Sequence, residues 1–180
     1  MADSKKSNIE LLKKNIRNVP DFPKPGIQFK DITPLLQNSE TLLLTSKMLA
    51  EPFLNKEVNY VIGLESRGFI FGPRLAQDLG AGFIPIRKPG KLPVETVEAS
   101  YELEYGVDSV EMHADALQKG DKVLIHDDLI ATGGTAKAAT ELVQHLGAEV
   151  IGYSFIIELT FLEGRKSLAD SKPVEVLVSV

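Results

Sequence analysis

Apolar residues in this chain recur first at helical spacing and later in short runs of strand length. Ile9, Leu11, Leu12, Ile16 and Val19 mark one face of an opening helix, which Pro20, Pro23 and Pro25 stop. Residues 21–31 then read as an extended, proline-stiffened segment with Gly26 inside it. Ser39 or Glu40 opens a second helix through Leu42, Leu43, Leu44, Met48 and Leu49. From residue 60 the pattern changes. The apolar run 60–64 predicts a buried parallel strand, and Phe71, Leu75, Ala76 and Leu79 form the inner face of a helix capped by Gly80. Residues 81–86 predict the next strand, with Pro85 placing it at an edge or a strand end. Residues 94–115 alternate in part, as a hairpin or a long excursion does. A strand at 122–127, a helix at 135–147 capped by Gly147, a strand at 150–157, a short helix around 162–168 and a strand at 174–180 complete the series. Strands alternating with helices predict an α/β protein, a mostly parallel sheet flanked by helices.

Composition narrows the class. A chain of 180 residues that is 43% hydrophobic can bury a core of its own, so a single domain over 1–180 is expected. There is no cysteine, which excludes disulfides and thiolate metal sites and fits a reducing compartment. The opening Met1-Ala2-Asp3-Ser4-Lys5-Lys6 is polar, and no run approaches the roughly 18 apolar residues of a membrane span. A net charge of −5 argues against a broad nucleic-acid surface. A cytoplasmic protein with neither nucleic-acid nor membrane partners is expected.

The most informative string is 123–135. An apolar run ends in Asp127 and Asp128; Ala131, Thr132, Gly133, Gly134 and Thr135 follow, and a helix-forming segment begins. A small-residue loop running into a helix gathers backbone N–H groups into an anion-binding concavity. Two carboxylates would repel that anion and suit hydroxyl groups or a metal ion one sugar-length away, so the string points to a ribose 5-phosphate. Consecutive strand residues face opposite ways, so both carboxylates are expected where the strand has ended, at the carboxyl edge where open α/β sheets bind ligands. A plain acidic turn with a helix cap is the alternative for the pair alone. Neither GxxxxGK[ST] nor GxGxxG occurs, so P-loop and dinucleotide-binding readings fail.

The string resembles the phosphoribosyl-pyrophosphate (PRPP) signature of the type I phosphoribosyltransferases. Its form, Asp-Asp-Leu-Ile-Ala-Thr-Gly-Gly-Thr over 127–135, is closest to the adenine phosphoribosyltransferase family. Four more blocks resemble that family in the same order: Phe-Pro-Lys-Pro-Gly-Ile at 22–27, Gly-Leu-Glu-Ser-Arg-Gly-Phe at 63–69, Arg-Lys-Pro-Gly-Lys-Leu-Pro at 87–93 and Tyr-Glu-Leu-Glu-Tyr-Gly at 101–106. The resemblance implies the type I phosphoribosyltransferase fold, with a small N-terminal hood over about 1–35 and a flexible lid over about 94–115.

It also implies roles. Asp127 and Asp128 hold the ribose hydroxyls, and Ala131, Thr132, Gly133, Gly134 and Thr135 cradle the 5-phosphate. Ser66, Arg67, Arg87, Lys88, Lys91 and Tyr105 meet pyrophosphate, with a cis peptide expected at Ser66–Arg67. Arg87, Lys88 and Lys91 cluster within five residues and no lysine or arginine follows until Lys119; a solvated basic turn is the plain alternative. Glu104, in the lid, serves as general acid–base at the purine, a role typically worth about 10²–10⁴-fold. Ile27, Gln28, Phe29 and Lys30 read adenine through the backbone, with Leu159 as an apolar wall; Phe29 as plain core remains open. The implied reaction is adenine + PRPP → AMP + pyrophosphate. It depends on Mg²⁺ held mainly through PRPP and water, with no metal-ligating residue assigned. The implied assembly is a homodimer in which Arg87 reaches the neighbour's site.

The seven acids at 95, 98, 102, 104, 108, 111 and 115 are expected mostly to face solvent, Glu104 excepted. His126 replaces a small apolar residue of the signature and is expected as a satisfied core histidine. Transfer to hypoxanthine, guanine, xanthine or orotate is the enzymatic alternative. A non-catalytic PRPP- or purine-sensing module is the other.

Overall fold

The amphipathic opening is helical over Ala2–Lys14 (α1) and stops earlier than the apolar spacing predicts. Val19, expected on that helix, lies in β1 (Arg17–Pro20), which pairs antiparallel with β2 (Gln28–Asp31), Val19 opposite Phe29. The ladder prevails because its turn closes on itself. The Asp21 carboxylate accepts the Gly26 N–H at 2.7 Å, and Arg17 donates to Asp31 across the strands at 3.0 Å. A five-residue helix with Pro34 in its first turn, α2 (Thr33–Gln37), has no counterpart in the apolar pattern. The next helix, α3 (Ser39–Ala50), starts where expected, with the Asn38 side chain accepting the Glu40 N–H at 2.9 Å. The computed structural model describes residues 2–102, 107–168 and 171–180. It comprises two compact units, Met1–Met48 and Leu49–Val180.

The second unit carries the predicted α/β alternation. Its elements are β3 (Tyr60–Leu64), α4 (Gly68–Leu79), β4 (Gly82–Ile86), β5 (Thr96–Glu102), β6 (Val107–His113), β7 (Lys122–Ile130), α5 (Gly134–His145), β8 (Glu149–Glu158) and β9 (Val174–Ser179). Five strands form one sheet in the order β4-β3-β7-β8-β9, and every pairing is parallel. β4, with Pro85, is an edge strand as expected, and β5 and β6 form an antiparallel hairpin. Val123, Leu124 and Ile125 at the sheet centre are 0% exposed, each burial contributing about 1.5–3 kcal/mol. The helix expected around 162–168 is replaced by two 3-10 turns, Thr160–Leu162 and Gly164–Ser167. α5 ends at His145, two residues short of the expected end, and Gly147 follows at φ 79°.

Topology fixes where a ligand can enter. The unit β3–α4–β4 steps to one side of the sheet and β7–α5–β8 steps to the other. Right-handed crossovers in opposite directions put α4 and α5 on opposite faces. The chain therefore reverses between β3 and β7, and the carboxyl ends of those strands open into a crevice that helices do not fill.

Candidate active site

Asp127 and Asp128 lie at this switch point, but inside β7 and not beyond its end, contrary to expectation. Pairing with β8 continues to Ile130, whereas pairing with β3 stops at His126. The acidic pair is thus bound into the sheet on one side and open on the other. The Asp127 carboxylate accepts the N–H of Asp128 at 2.8 Å, and Arg67, just past β3, places Nε 3.1 Å from Asp128 Oδ2. Asp128 is 2% exposed. Burial and the charge of Asp128 push the Asp127 carboxyl well above the usual carboxylate range. Burial also raises Asp128, opposed by the Arg67 guanidinium. A buried carboxyl and its half-buried neighbour resist carrying two charges, so hydroxyl donors or a cation at this site are favoured partners. Gly68 allows the close approach: a Cβ there would meet the His126 carbonyl at 2.8 Å and Asp127 Oδ1 at 3.2 Å.

The loop after β7 is shaped by backbone. Asp127, Leu129, residues 130–136 and Phe155 line a cavity of about 200 Å³. Gly133 sits at φ 81° and opens α5, which no side chain caps. The first-turn N–H groups of α5, which have no intrahelical partner, are left to the cavity. The outer side of the loop is held by the 3-10 turn at Gly164–Ser167. A Cβ at Gly133 would lie 2.4 Å from the Gly164 carbonyl, one at Gly164 would lie 2.2 Å from the Ala131 carbonyl, and Ser167 Oγ donates to the Thr132 carbonyl at 2.8 Å. Arg165 pins that turn to β8 through a two-pronged ion pair with buried Glu158, at 2.6 and 2.9 Å. The Thr132 carbonyl is thereby engaged from the side of that turn, while the first-turn residues of α5 line the cavity. Nothing local in the sequence marks Glu158, Arg165 or Ser167 for this work.

The basic loop after β4 is organised by carboxylates. Glu65 accepts from Arg87 Nε at 3.2 Å, from the Lys88 N–H at 2.9 Å and from Lys91 Nζ at 2.7 Å. Lys91, the Lys88 N–H and Arg87 outweigh partial burial and hold the Glu65 carboxyl down to about 2. Lys88 meets Asp108 and, at 2.9 Å, the Tyr101 hydroxyl, both on the hairpin. The cluster is therefore a shaped, counter-charged loop and not a solvated turn. Glu65 is a site residue that sequence reasoning missed, although it stands inside the matched 63–69 block. A non-proline cis peptide is present, one residue earlier than expected, at Glu65–Ser66. Among the hairpin acids, Glu95, Glu98 and Asp115 face solvent as expected. Asp108 pairs with Lys88 and Glu111 is buried, against that expectation.

The remaining expected residues separate. Glu104 and Tyr105 lie outside the described residues. Gln28, Phe29 and Lys30 are on β2 in the first unit, with Ile27 just before it. Phe29 packs edge-on against Phe22 with centroids 5.1 Å apart, and Lys30 donates to Asn18 at 3.1 Å. Leu159 follows β8 and donates its N–H to the Ile130 carbonyl at 3.0 Å, beside the start of the phosphate-sized loop. His126 is fully buried, and its Nδ1–H donates to the Ser154 carbonyl at 3.0 Å. Burial draws its pKa down to about 4, so the ring is a neutral core group. Its Nε2 finds no partner among the described residues, so it is satisfied at one nitrogen only. Among the described residues no group of three or more His, Asp or Glu side chains could hold a metal ion. No helix among the described residues is long and apolar enough to cross a membrane.

Comparison with known proteins agrees with this geometry. Residues 28–177 match the family described as the phosphoribosyl transferase domain. The adenine phosphoribosyltransferase of Koribacter versatilis is 58% identical over 161 residues, covering 89% of this chain and 88% of that protein. The crystal structure of adenine phosphoribosyltransferase from Rhodothermus marinus superposes with a TM-score of 0.93 at 56% identity, over 97% of this chain and 99% of that one. The Saccharomyces cerevisiae enzyme, solved with an imino-altritol bisphosphate and adenine, matches with a TM-score of 0.90 at 45% identity, over 96% and 99%.

Proposed function

The chain belongs to the adenine phosphoribosyltransferase family, and from that premise we propose that it transfers the 5-phosphoribosyl group of PRPP to adenine, releasing AMP and pyrophosphate. The observation that carries this reading is one cavity at the switch point lined both by Asp127, the first of the acidic pair, and by the backbone anion loop. A ribose 5-phosphate spans those two features. Residues 131–135 take the phosphate, and Asp127 and Asp128 take the ribose hydroxyls. Donation from the diol stabilises the ionised carboxylates that burial disfavours.

In the reaction the bond from ribose C1 to the pyrophosphate oxygen breaks and a bond to a purine nitrogen forms. Arg67, Arg87, Lys88 and Lys91, with Ser66 and Tyr105, neutralise the leaving pyrophosphate, so that its charge develops against fixed cations. Glu104 receives the proton the purine gives up. The segment 94–115 serves as a lid that excludes water from the reacting centre. The backbone at 27–30 reads adenine in the N-terminal hood. Mg²⁺ would neutralise the pyrophosphate further, coordinated mainly by PRPP oxygens and water near the acidic pair. A homodimer in the cytoplasm completes the proposal; the cysteine-free composition supports the compartment, and a size measurement in solution tests the assembly.

Pyrophosphate release from PRPP, measured with adenine, hypoxanthine, guanine, xanthine and orotate in turn, tests the function. Release with adenine is expected. Release with hypoxanthine but not adenine would overturn the substrate, and PRPP binding without turnover would favour a sensing module.

A further inference from the structure

Glu111 is a carboxylate that the reaction does not use, yet it is 5% exposed. It sits on β6 between the buried Val110 and Met112. One of its oxygens accepts the N–H groups of Lys91 at 3.0 Å and Leu92 at 2.9 Å, and the other accepts the Thr96 hydroxyl at 3.3 Å. Its own backbone forms an isolated two-way bridge with Arg87. The Arg87 N–H donates to the Glu111 carbonyl at 3.0 Å, and the Glu111 N–H donates to the Arg87 carbonyl at 2.8 Å. One residue therefore grips both ends of the basic loop, backbone to backbone at 87 and carboxylate to backbone at 91 and 92. Burial alone would raise this carboxyl, but N–H donation from Leu92, Gly90 and Lys91 outweighs it and holds it below its ordinary range. It is an ionised anchor folded into the protein.

We propose that Glu111 is the positioning residue of the pyrophosphate-binding loop, fixing where the Arg87 and Lys91 side chains emerge without itself touching substrate. The alternative, that Glu111 merely stabilises the hairpin, fits the geometry less well. Among the described residues its hydrogen bonds go to the loop at 87–92, except the one from the paired strand's Thr96. The assignment rests on the phosphoribosyl-transfer reading and predicts a selective defect. Ligands that carry pyrophosphate depend on the loop, whereas AMP, which lacks it, does not.

The test is calorimetric binding of pyrophosphate, PRPP and AMP to the intact protein and to Glu111→Ala and Glu111→Gln. Glu111→Ala is expected to weaken pyrophosphate and PRPP roughly tenfold or more, with AMP within about twofold. Glu111→Gln keeps an oxygen for the Lys91 and Leu92 N–H groups and should stay within about threefold of the unaltered protein. Equal weakening of AMP and pyrophosphate, or unchanged pyrophosphate binding in Glu111→Ala, would overturn the proposal. Should Glu111→Ala fail to fold, Glu111→Asp, which withdraws the carboxylate by one methylene, is judged by the same selectivity. Failure of the unaltered protein to bind either pyrophosphate or PRPP would instead overturn the functional reading, and this assignment with it.

Discussion

Two loops at the same end of the sheet, each proposed to bind an anion, are built by opposite means. The loop at 131–135 offers backbone N–H groups at a helix start and depends on glycines that let it pack against Gly164 at distances no side chain permits. The loop at 87–92 offers side-chain cations, and its backbone is held from behind by Glu65 and Glu111. The first is held by close main-chain packing on Gly164 and by the Ser167 hydroxyl. The second carries charge that exchanges partners, since Arg87 and Lys91 now rest on a carboxylate that an incoming anion can replace. That division suits a phosphate that stays throughout the reaction and a pyrophosphate that must leave.

Substitutions in each loop test the contrast. Gly133→Ala should have the largest effect, because the new Cβ meets the Gly164 carbonyl at 2.4 Å at a φ of 81°. Turnover should fall roughly 100-fold or more, with PRPP and AMP binding lost together because both carry the 5-phosphate. Asp128→Asn comes next. It removes the charge facing Arg67 and should lower kcat/KM for PRPP about tenfold to 100-fold, read from steady-state kinetics. Lys91→Ala should weaken PRPP about tenfold while sparing AMP, and the loss should shrink as salt is raised. Equal effects of Lys91→Ala on AMP and PRPP would erase the distinction between the loops.

His126→Val should have the smallest effect on activity, less than about twofold, since the ring lies in the core and faces no ligand. Its signature is in stability against pH. The folded pKa is drawn down to about 4 from an ordinary 6.5, so the unfolded chain binds the proton first as pH falls. His126 therefore costs no stability above about pH 6.5 and destabilises the fold progressively between there and pH 4. Thermal unfolding should show the valine variant gaining on the unaltered protein over that window. Activity lost without stability lost would overturn the structural role.

The apolar pattern carried the sheet well because strands of a parallel sheet are buried on both faces and read as short continuous runs, as at 60–64 and 122–127. It failed where pairing overrode it. Val19 has helical spacing from Ile16 but belongs to a ladder closed by Asp21 and Gly26. The acidic pair was expected beyond its strand on the argument of alternating faces. The sheet instead continues on one side and stops on the other, which no one-dimensional pattern records.

What the sequence by itself determined was the succession of elements and the 127–135 string. Both are written in neighbouring residues: apolar periodicity, glycines where a loop must crowd, acids beside them. Only the tertiary structure decided which carboxylates serve the site. Glu65 reaches Lys91 across 26 positions, Glu111 reaches Lys91 across 20, and Ser167 reaches Thr132 across 35. A lone acid in a sequence looks the same whether it faces water or gathers a loop. The difference lies in burial and in donors brought from distant segments, and these exist only once the sheet has formed.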